Sequence, residues 1–348
     1  MIDWSRSYNP TWRYFLVDRE TWRDMRPLSS VTSCKVKFSR AAAIPEDVQV
    51  DVEDELPPES VLRVYLDAEQ DGVLERVPVA TAVLTSRDEL HGTVEKSTLR
   101  GYGALMSLED DVPALLATVA GGVVVEQAAA VCESGMAPVV KPTDSTALES
   151  VVVADPKASK LAFARAIAAK AGYDVSSDAY GRTVFPRLPG VAAAPAITLV
   201  DDGETVLVGD VKRKQDLRKV PNYCEVRVTN GTSTVVGSAV NDDRNSAVST
   251  VSRGRRVPLI IEDPDELQGD VTAAEVAEFA AVQLEVASQV ACTVSYSHDY
   301  APVNVGDCIR LVRGSLDVTA IVETMSISCD TSCRVEATAS YIESYWRA

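Results

Sequence analysis

YCEVRVTNGTSTVVGSAV, residues 223–240, is the stretch whose reading decides how the chain is folded. Cys224, Val226 and Val228 alternate with Glu225, Arg227 and Thr229, the two-residue period of a half-buried strand. Asn230-Gly231 follows, the dipeptide that a two-residue type I′ turn requires, so the stretch predicts a β-hairpin turning on those two residues. The same asparagine begins an Asn-Gly-Thr glycosylation sequon, but turn chemistry accounts for it.

Just before the hairpin, GDVKRKQDLRKVPN gathers Lys212, Arg213, Lys214, Arg218 and Lys219, and just after it DDRNSAVSTVSRGRR adds Arg253, Arg255 and Arg256. The whole chain carries a formal net charge of -17, so positive charge collected here stands out as a candidate contact surface.

Working outward, the first hundred residues read as short strands: CKVKFSR, VQVDVED, the denser SVLRVYLDA and GTVEKSTLRGY, spaced by Pro, Asp and Gly. Such spacing predicts a sandwich or barrel. Seven carboxylates fall between residues 46 and 59, read as a solvated loop and a charged edge strand, since no Asp-x-Asp-x-Asp-Gly calcium loop is present. Residues 110–130 are helical in pattern but broken at Gly121-Gly122, which predicts two short elements. DPKASKLAFARAIAAKAGYDV predicts a helix capped by Asp155, with Pro156 in its first turn and Leu161, Ala164, Ile167, Ala168 and Ala171 on one face until Gly172. GRTVFPRL reads as the strand that follows.

ITLVDDGETVLV opens the second β region as strand-turn-strand. After the hairpin, TAAEVAEFAAVQLEVAS predicts a helix with Thr272 and Glu275 as a capping box. CTVSYSH, DCIRLV, VTAIVE, MSISC and CRVEATASY then read as five strands. The segments are 1–105, a β domain with an N-terminal arm; 106–195, an α/β connecting region; and 196–348, a second β domain with one packing helix. The fold class is mainly β with an α/β insert.

Composition narrows the function. With 348 residues, 46% of them hydrophobic, the chain can bury two to four cores, and 6% aromatic content suits β-strands better than aromatic-rich ligand clefts. The first twenty residues lack an apolar core for a secretory signal, and no run of about 18 apolar residues is present, so neither a signal peptide nor stable membrane insertion is expected. Seven scattered cysteines do not make a disulfide framework; Cys329 and Cys333 could form a redox pair or half a metal site, but no second pair follows. No metal or cofactor is expected. No Gly-x-Ser-x-Gly, Walker loop or His-Glu-x-x-His occurs, and His298, one of two histidines, is read as a surface or turn residue. No catalytic residue is assigned and the chain is read as a non-enzyme.

From Val220 onward the order of elements resembles that of bacteriophage tail-tip hub proteins, relatives of the baseplate hub of contractile tails. The strand at 222–228, the Ser- and Arg-bearing gap at 246–256, the helix at 273–288, the "VNVGDCIRL" element at 303–311 and the closing VEATASY carry the likeness, and TSCKVKFSRAAAIPEDVQVDVEDELPPESVLRVYLD is similar to a hub's first barrel. The resemblance implies two tail-tube-like antiparallel β-barrels with smaller α/β domains. It also implies a homotrimer standing in for a hexameric tube, placed at the virion tail tip, assembled in the host cytoplasm, and joining the tail tube to distal tip, spike or fibre proteins.

On that basis the basic residues at 212–219 and 253–256 face a subunit or tube contact, meeting acidic surface such as 46–59 on a neighbour. A charged guard before an edge strand and contact with DNA during ejection are the other readings. Two further classes stay open for the whole chain: a receptor- or carbohydrate-binding tail module, and a cell-wall hydrolase acting through one of its carboxylate pairs.

Overall fold

The computed structural model describes residues 2–90, 96–113, 116–188, 194–201, 207–231, 233–267 and 269–346. The chain forms two compact units, residues 1–211 with 296–339, and residues 212–295 with 340–348. It passes between them after residues 211, 295 and 339, whereas the sequence reading divides it at 105 and 195.

The first unit is built on strands β1 (Asn9–Val17), β2 (Asp24–Pro27), β3 (Val31–Ser39), β4 (Glu46–Val52), β5 (Val61–Gln70), β6 (Val73–Leu90) and β7 (Lys96–Tyr102). They lie side by side in the order β3-β4-β7-β6-β5-β1-β2, all antiparallel. Alternation drives this: Val48, Val50 and Val52 of β4 are buried on one face. In β5, residues 61–68 are buried on both faces, so polar Arg63 and Asp67 are enclosed. Each is matched. Arg63 donates to the Thr81 hydroxyl (2.9 Å), Asp24 (2.7 Å) and the Tyr180 carbonyl (3.0 Å), and Arg76 clasps Asp67 with two bonds.

The insert follows as α1 (Met106–Glu109), α2 (Val124–Cys132), β8 (Val139–Val140), α3 (Lys160–Ala168), β9 (Ser176–Ser177) and β10 (Thr183–Val184). Its own core joins Val124, Val125, Ala128 and Cys132 of α2 to Leu161, Ala164 and Ile167 of α3. The helix at α3 starts later than expected: Ser159, not Asp155, is its cap, accepting from the Ala162 amide at 3.1 Å, while Asp155 instead caps a preceding turn through the Lys157 amide. Pro156 sits in that turn. Of the two short elements expected over 110–130, only α2 is a helix; residues 116–119 run antiparallel to 151–154 as a ribbon, bridged at Ala117 and Val153.

β11 (Ile197–Val200) pairs in parallel with residues 309–312 and, among the described residues, not with β12 (Leu207–Lys214), so ITLVDDGETVLV is not a hairpin; its turn lies outside the described residues. The second unit holds β13 (Tyr223–Asn230), β14 (Ser233–Val240), α4 (Thr250–Arg253), β15 (Pro258–Glu262) and α5 (Ala273–Ala287). The hairpin at β13–β14 is present, shifted by one: Asn230 pairs with Ser233, and the chain turns after it at Gly231, which has φ +61°. Asn230 is held in the strand by its amide, which donates to Asp270 at 2.8 Å. β15 adds in parallel to β13, and α5 covers the sheet with Val276, Ala280 and Leu284 against Cys224, Val226 and Val228. The Thr272–Glu275 capping box is formed as expected.

Strands β16 (Gln289–Asp299), β17 (Cys308–Arg313), β18 (Leu316–Ser328) and β19 (Arg334–Ser344) complete the chain. VTAIVE and MSISC, read as two strands, are one: β18 pairs through its first half with β17 and through its second with β3. The fold class read from the sequence, mainly β with an α/β insert, is the one observed.

Candidate functional site

The basic residues divide by role in the second unit. Arg253, the last residue of α4, donates to the carbonyls of Val220 (2.7 Å) and Leu217, and burial together with neighbouring Arg255 holds its pKa below the usual guanidinium value. It braces the segment after β12. Arg213 pairs with Glu343, reaches the Gln215 amide oxygen (2.7 Å) and lies over the Tyr341 ring. Arg256 stacks on Tyr223, its guanidinium carbon 4.6 Å from the ring centre.

The other five differ. Lys212, Lys214, Arg218, Lys219 and Arg255 are exposed, and none has an ion-pair partner among the described residues. Long charged side chains left free in a chain of net charge -17 are available to an outside partner. Sequence reading grouped all eight; it could not see that Arg253 faces backbone carbonyls, because nothing in SRGRR distinguishes one arginine from the next.

The proposed acidic counterpart at 46–59 is altered by the structure. Glu46 is buried, not on the surface. Asp47 is clasped by Arg100 (2.7 and 3.0 Å), and Asp51 accepts from Thr98 (2.7 Å). Glu53, Asp54, Glu55 and Glu59 are the exposed remainder, and Glu59 pairs with Arg19 (3.0 Å).

Glu46 is the most perturbed carboxyl on the sheet. Burial pushes it up to about 7, against the Ser177 hydroxyl and the more distant Arg165, which favour its charged form. Its second oxygen has no hydrogen-bond partner among the described residues and lies where a side chain on Gly103 would begin.

His298 is a correction. It is 2% exposed, stacks on Tyr296 (5.6 Å between ring centres) and donates from Nδ1 to the Asp299 carbonyl at 2.7 Å, since a carbonyl can only accept. Burial pushes it down to about 4, so it stays a neutral core ring. The surface reading failed because Ser-His-Asp looks like a turn while β16 runs through it.

Cys329 and Cys333 are not joined in a disulfide. The Cys329 amide donates to the Cys34 carbonyl (3.0 Å), Cys333 Sγ lies 3.4 Å from the Tyr8 hydroxyl, and burial raises both thiols. All seven cysteines are free. Among the described residues no three His, Cys, Asp or Glu side chains converge as metal ligands. Hollows of the first unit include one of about 430 Å³ lined by Trp22, Arg63, Tyr65, Tyr180 and Arg182, and one of about 350 Å³ lined by Phe38, Pro78, Val303 and Met325. In the first, Arg63 is already fully engaged by protein groups. No helix among the described residues is long and apolar enough to cross a membrane.

No protein-family model matches the chain, and no curated protein matches it in sequence. Solved structures do. The tail protein from Neisseria meningitidis MC58 is similar over 95% of this chain and 96% of its own, with TM-score 0.58 and 13% identity. The 43 kDa tail protein of prophage MuSo2 from Shewanella oneidensis is similar over 95% and 98%, with TM-score 0.57 and 14% identity. A chain of the Francisella PdpA-VgrG complex is similar over 99% of this chain and 59% of its own, with TM-score 0.51 and 7% identity. At the level of fold the resemblance holds for phage tail proteins, whose fold this chain has.

Proposed function

We propose that the chain is the structural hub of a bacteriophage-type tail tip or baseplate: a homotrimeric, non-enzymatic adaptor that joins the tail tube to distal tip, spike or fibre proteins and takes part in host attachment and DNA ejection. The observation that supports this reading is the match to two tail proteins at nearly full length on both sides, which leaves little of this chain for an unrelated activity. The fold shared with a chain of a PdpA-VgrG complex supports a role inside an assembly.

In this proposal the two β regions, within 1–105 and 196–348, each supply one barrel-like tube element, so three copies present six to a hexameric tube. The exposed residues Lys212, Lys214, Arg218, Lys219 and Arg255 line a subunit contact, with Arg213 and Arg256 at its margin and Arg253 bracing it from within. DNA passes only through the lumen: at -17 per subunit the ring repels the phosphate backbone and lets it slide. The site of action is the virion tail tip, reached after assembly in the host cytoplasm.

Light scattering on the purified protein, with averaged electron images, tests the proposal. The expected result is a trimeric ring with sixfold-like density around a central channel. A monomer at every concentration, together with absence from purified tail tips, would overturn it.

A further inference from the structure

The ribbon of the insert has an outward face of unusual chemistry. Antiparallel pairing at Ala117 and Val153 puts Ala117, Val119, Val151 and Val153 on one side, and Thr118, Val152 and Ala154 on the other, toward the insert core. Of the inner set, Thr118 and Ala154 are each 8% exposed and Val152 is half-buried, while Leu116 at the start of the ribbon, on the same side, is 37% exposed. The outer set is open, with Val119 and Val153 each 70% exposed and Val151 51%. A two-stranded ribbon facing water should carry polar residues there, and every outward position is apolar instead. Carboxylates stand at its ends: Asp110 and Glu149 before its two strands and Asp155 after the second, all exposed.

The second unit shows the opposite character. Lys212, Lys214, Arg218, Lys219 and Arg255 are exposed and have no ion-pair partner among the described residues, and Val251 of α4 in the same unit is 52% exposed. An apolar strip with an acidic rim and a basic surface with an apolar point are complementary in both sign and polarity. They lie on the same chain, so the contact that joins them between copies is head-to-tail, the kind that closes into a ring.

We propose that the outward face of the 116–119/151–154 ribbon is the docking surface for the basic segment of a second copy of this chain. The occupant is argued from charge complementarity. It is argued also from size: four small side chains fall far short of the roughly 800 Å² per partner of a self-standing interface, so the face works only as one contact of a larger closed assembly. This inference rests on the ring of the proposed function and identifies which surfaces of neighbouring copies meet.

Two full-length variants test it: Val119→Asp with Val153→Asp, and Lys212→Glu with Lys214→Glu and Lys219→Glu, all at exposed positions. Sedimentation velocity is expected to show a closed oligomer for the unaltered chain and about a hundredfold weaker association for each variant. Amide exchange of the unaltered chain, which no substitution can misfold, is expected to slow over both 116–119/151–154 and 212–219 in the oligomer relative to the dilute protein. If either variant keeps the full oligomer, or the two segments exchange no more slowly in the oligomer, the docking assignment is wrong while the ring stands. If the unaltered chain itself never associates, the ring fails and the assignment with it.

Discussion

Glu46, the first residue of β4, accepts a hydrogen bond from the hydroxyl of Ser177 in β9, 131 positions along the chain, and so ties the sheet of the first unit to its insert. Its other oxygen, without a partner among the described residues, rests against Gly103, where a side chain would begin 2.2 Å away. Arg165 of α3 and Asp178 act on this carboxyl with opposite sign, and burial outweighs both.

The junction makes stability depend on pH. A carboxyl raised from 4.5 to about 7 on folding binds its proton more tightly in the native state. Its contribution is therefore fully present below about pH 4.5 and is lost as pH rises through about 7. Urea unfolding across pH 4.5–7 is expected to show this loss, on the order of 1–3 kcal/mol, and Glu46→Gln is expected to flatten that part of the profile. An unchanged profile in the variant would remove Glu46 as the cause.

Gly103→Ala is expected to destabilise the first unit by about 1–3 kcal/mol, because the new methyl meets a buried carboxylate wedged against the backbone rather than a free side-chain end. Combined with Glu46→Ala, which empties that space, the loss is expected to be smaller than the sum of the single losses. Additive effects in the double variant would show that the two positions do not meet.

Gly237 of β14 lies under α5, and a methyl there would come within 2.4 Å of the Ala277 amide nitrogen and 2.5 Å of the Val276 carbonyl carbon. Both are helix backbone and cannot turn aside. Gly237→Ala is expected to cost about 2–4 kcal/mol and to raise amide exchange across α5. Exchange at the unaltered rate would contradict the close packing of helix on strand.

Arg253→Ala is expected to leave the basic surface charge nearly intact yet loosen the segment that carries it, since the Leu217 and Val220 carbonyls lose their donor. Faster amide exchange over 217–220, at a cost of about 1–3 kcal/mol, is the readout. Charge loss alone would instead weaken association without altering that exchange.

Where physical signal is local, the sequence carried it. The Thr272–Glu275 box, the alternation of β3, β4 and β13 and the helical face of Leu161, Ala164 and Ile167 depend on neighbours within a few residues, and the structure has them. Misreadings arose where two local choices compete on similar terms: Asp155 or Ser159 as the cap, Asn230 or Gly231 as the first residue of the turn. The winner in each pair was decided by a partner elsewhere, Glu109 for Ser159 at 2.6 Å and Asp270 for Asn230.

The sequence by itself determined that this chain is mainly β with an α/β insert, and that positive charge gathers around the 223–240 hairpin, because strand period, caps and charge are written in adjacent residues. Only the tertiary structure decided that Glu46 and His298 are buried, that Arg253 is a strut while Lys212 is exposed, and that the ribbon shows an apolar face to water. Burial and pairing are properties of the space between segments far apart in sequence, and that space exists only once the sheets and helices have packed.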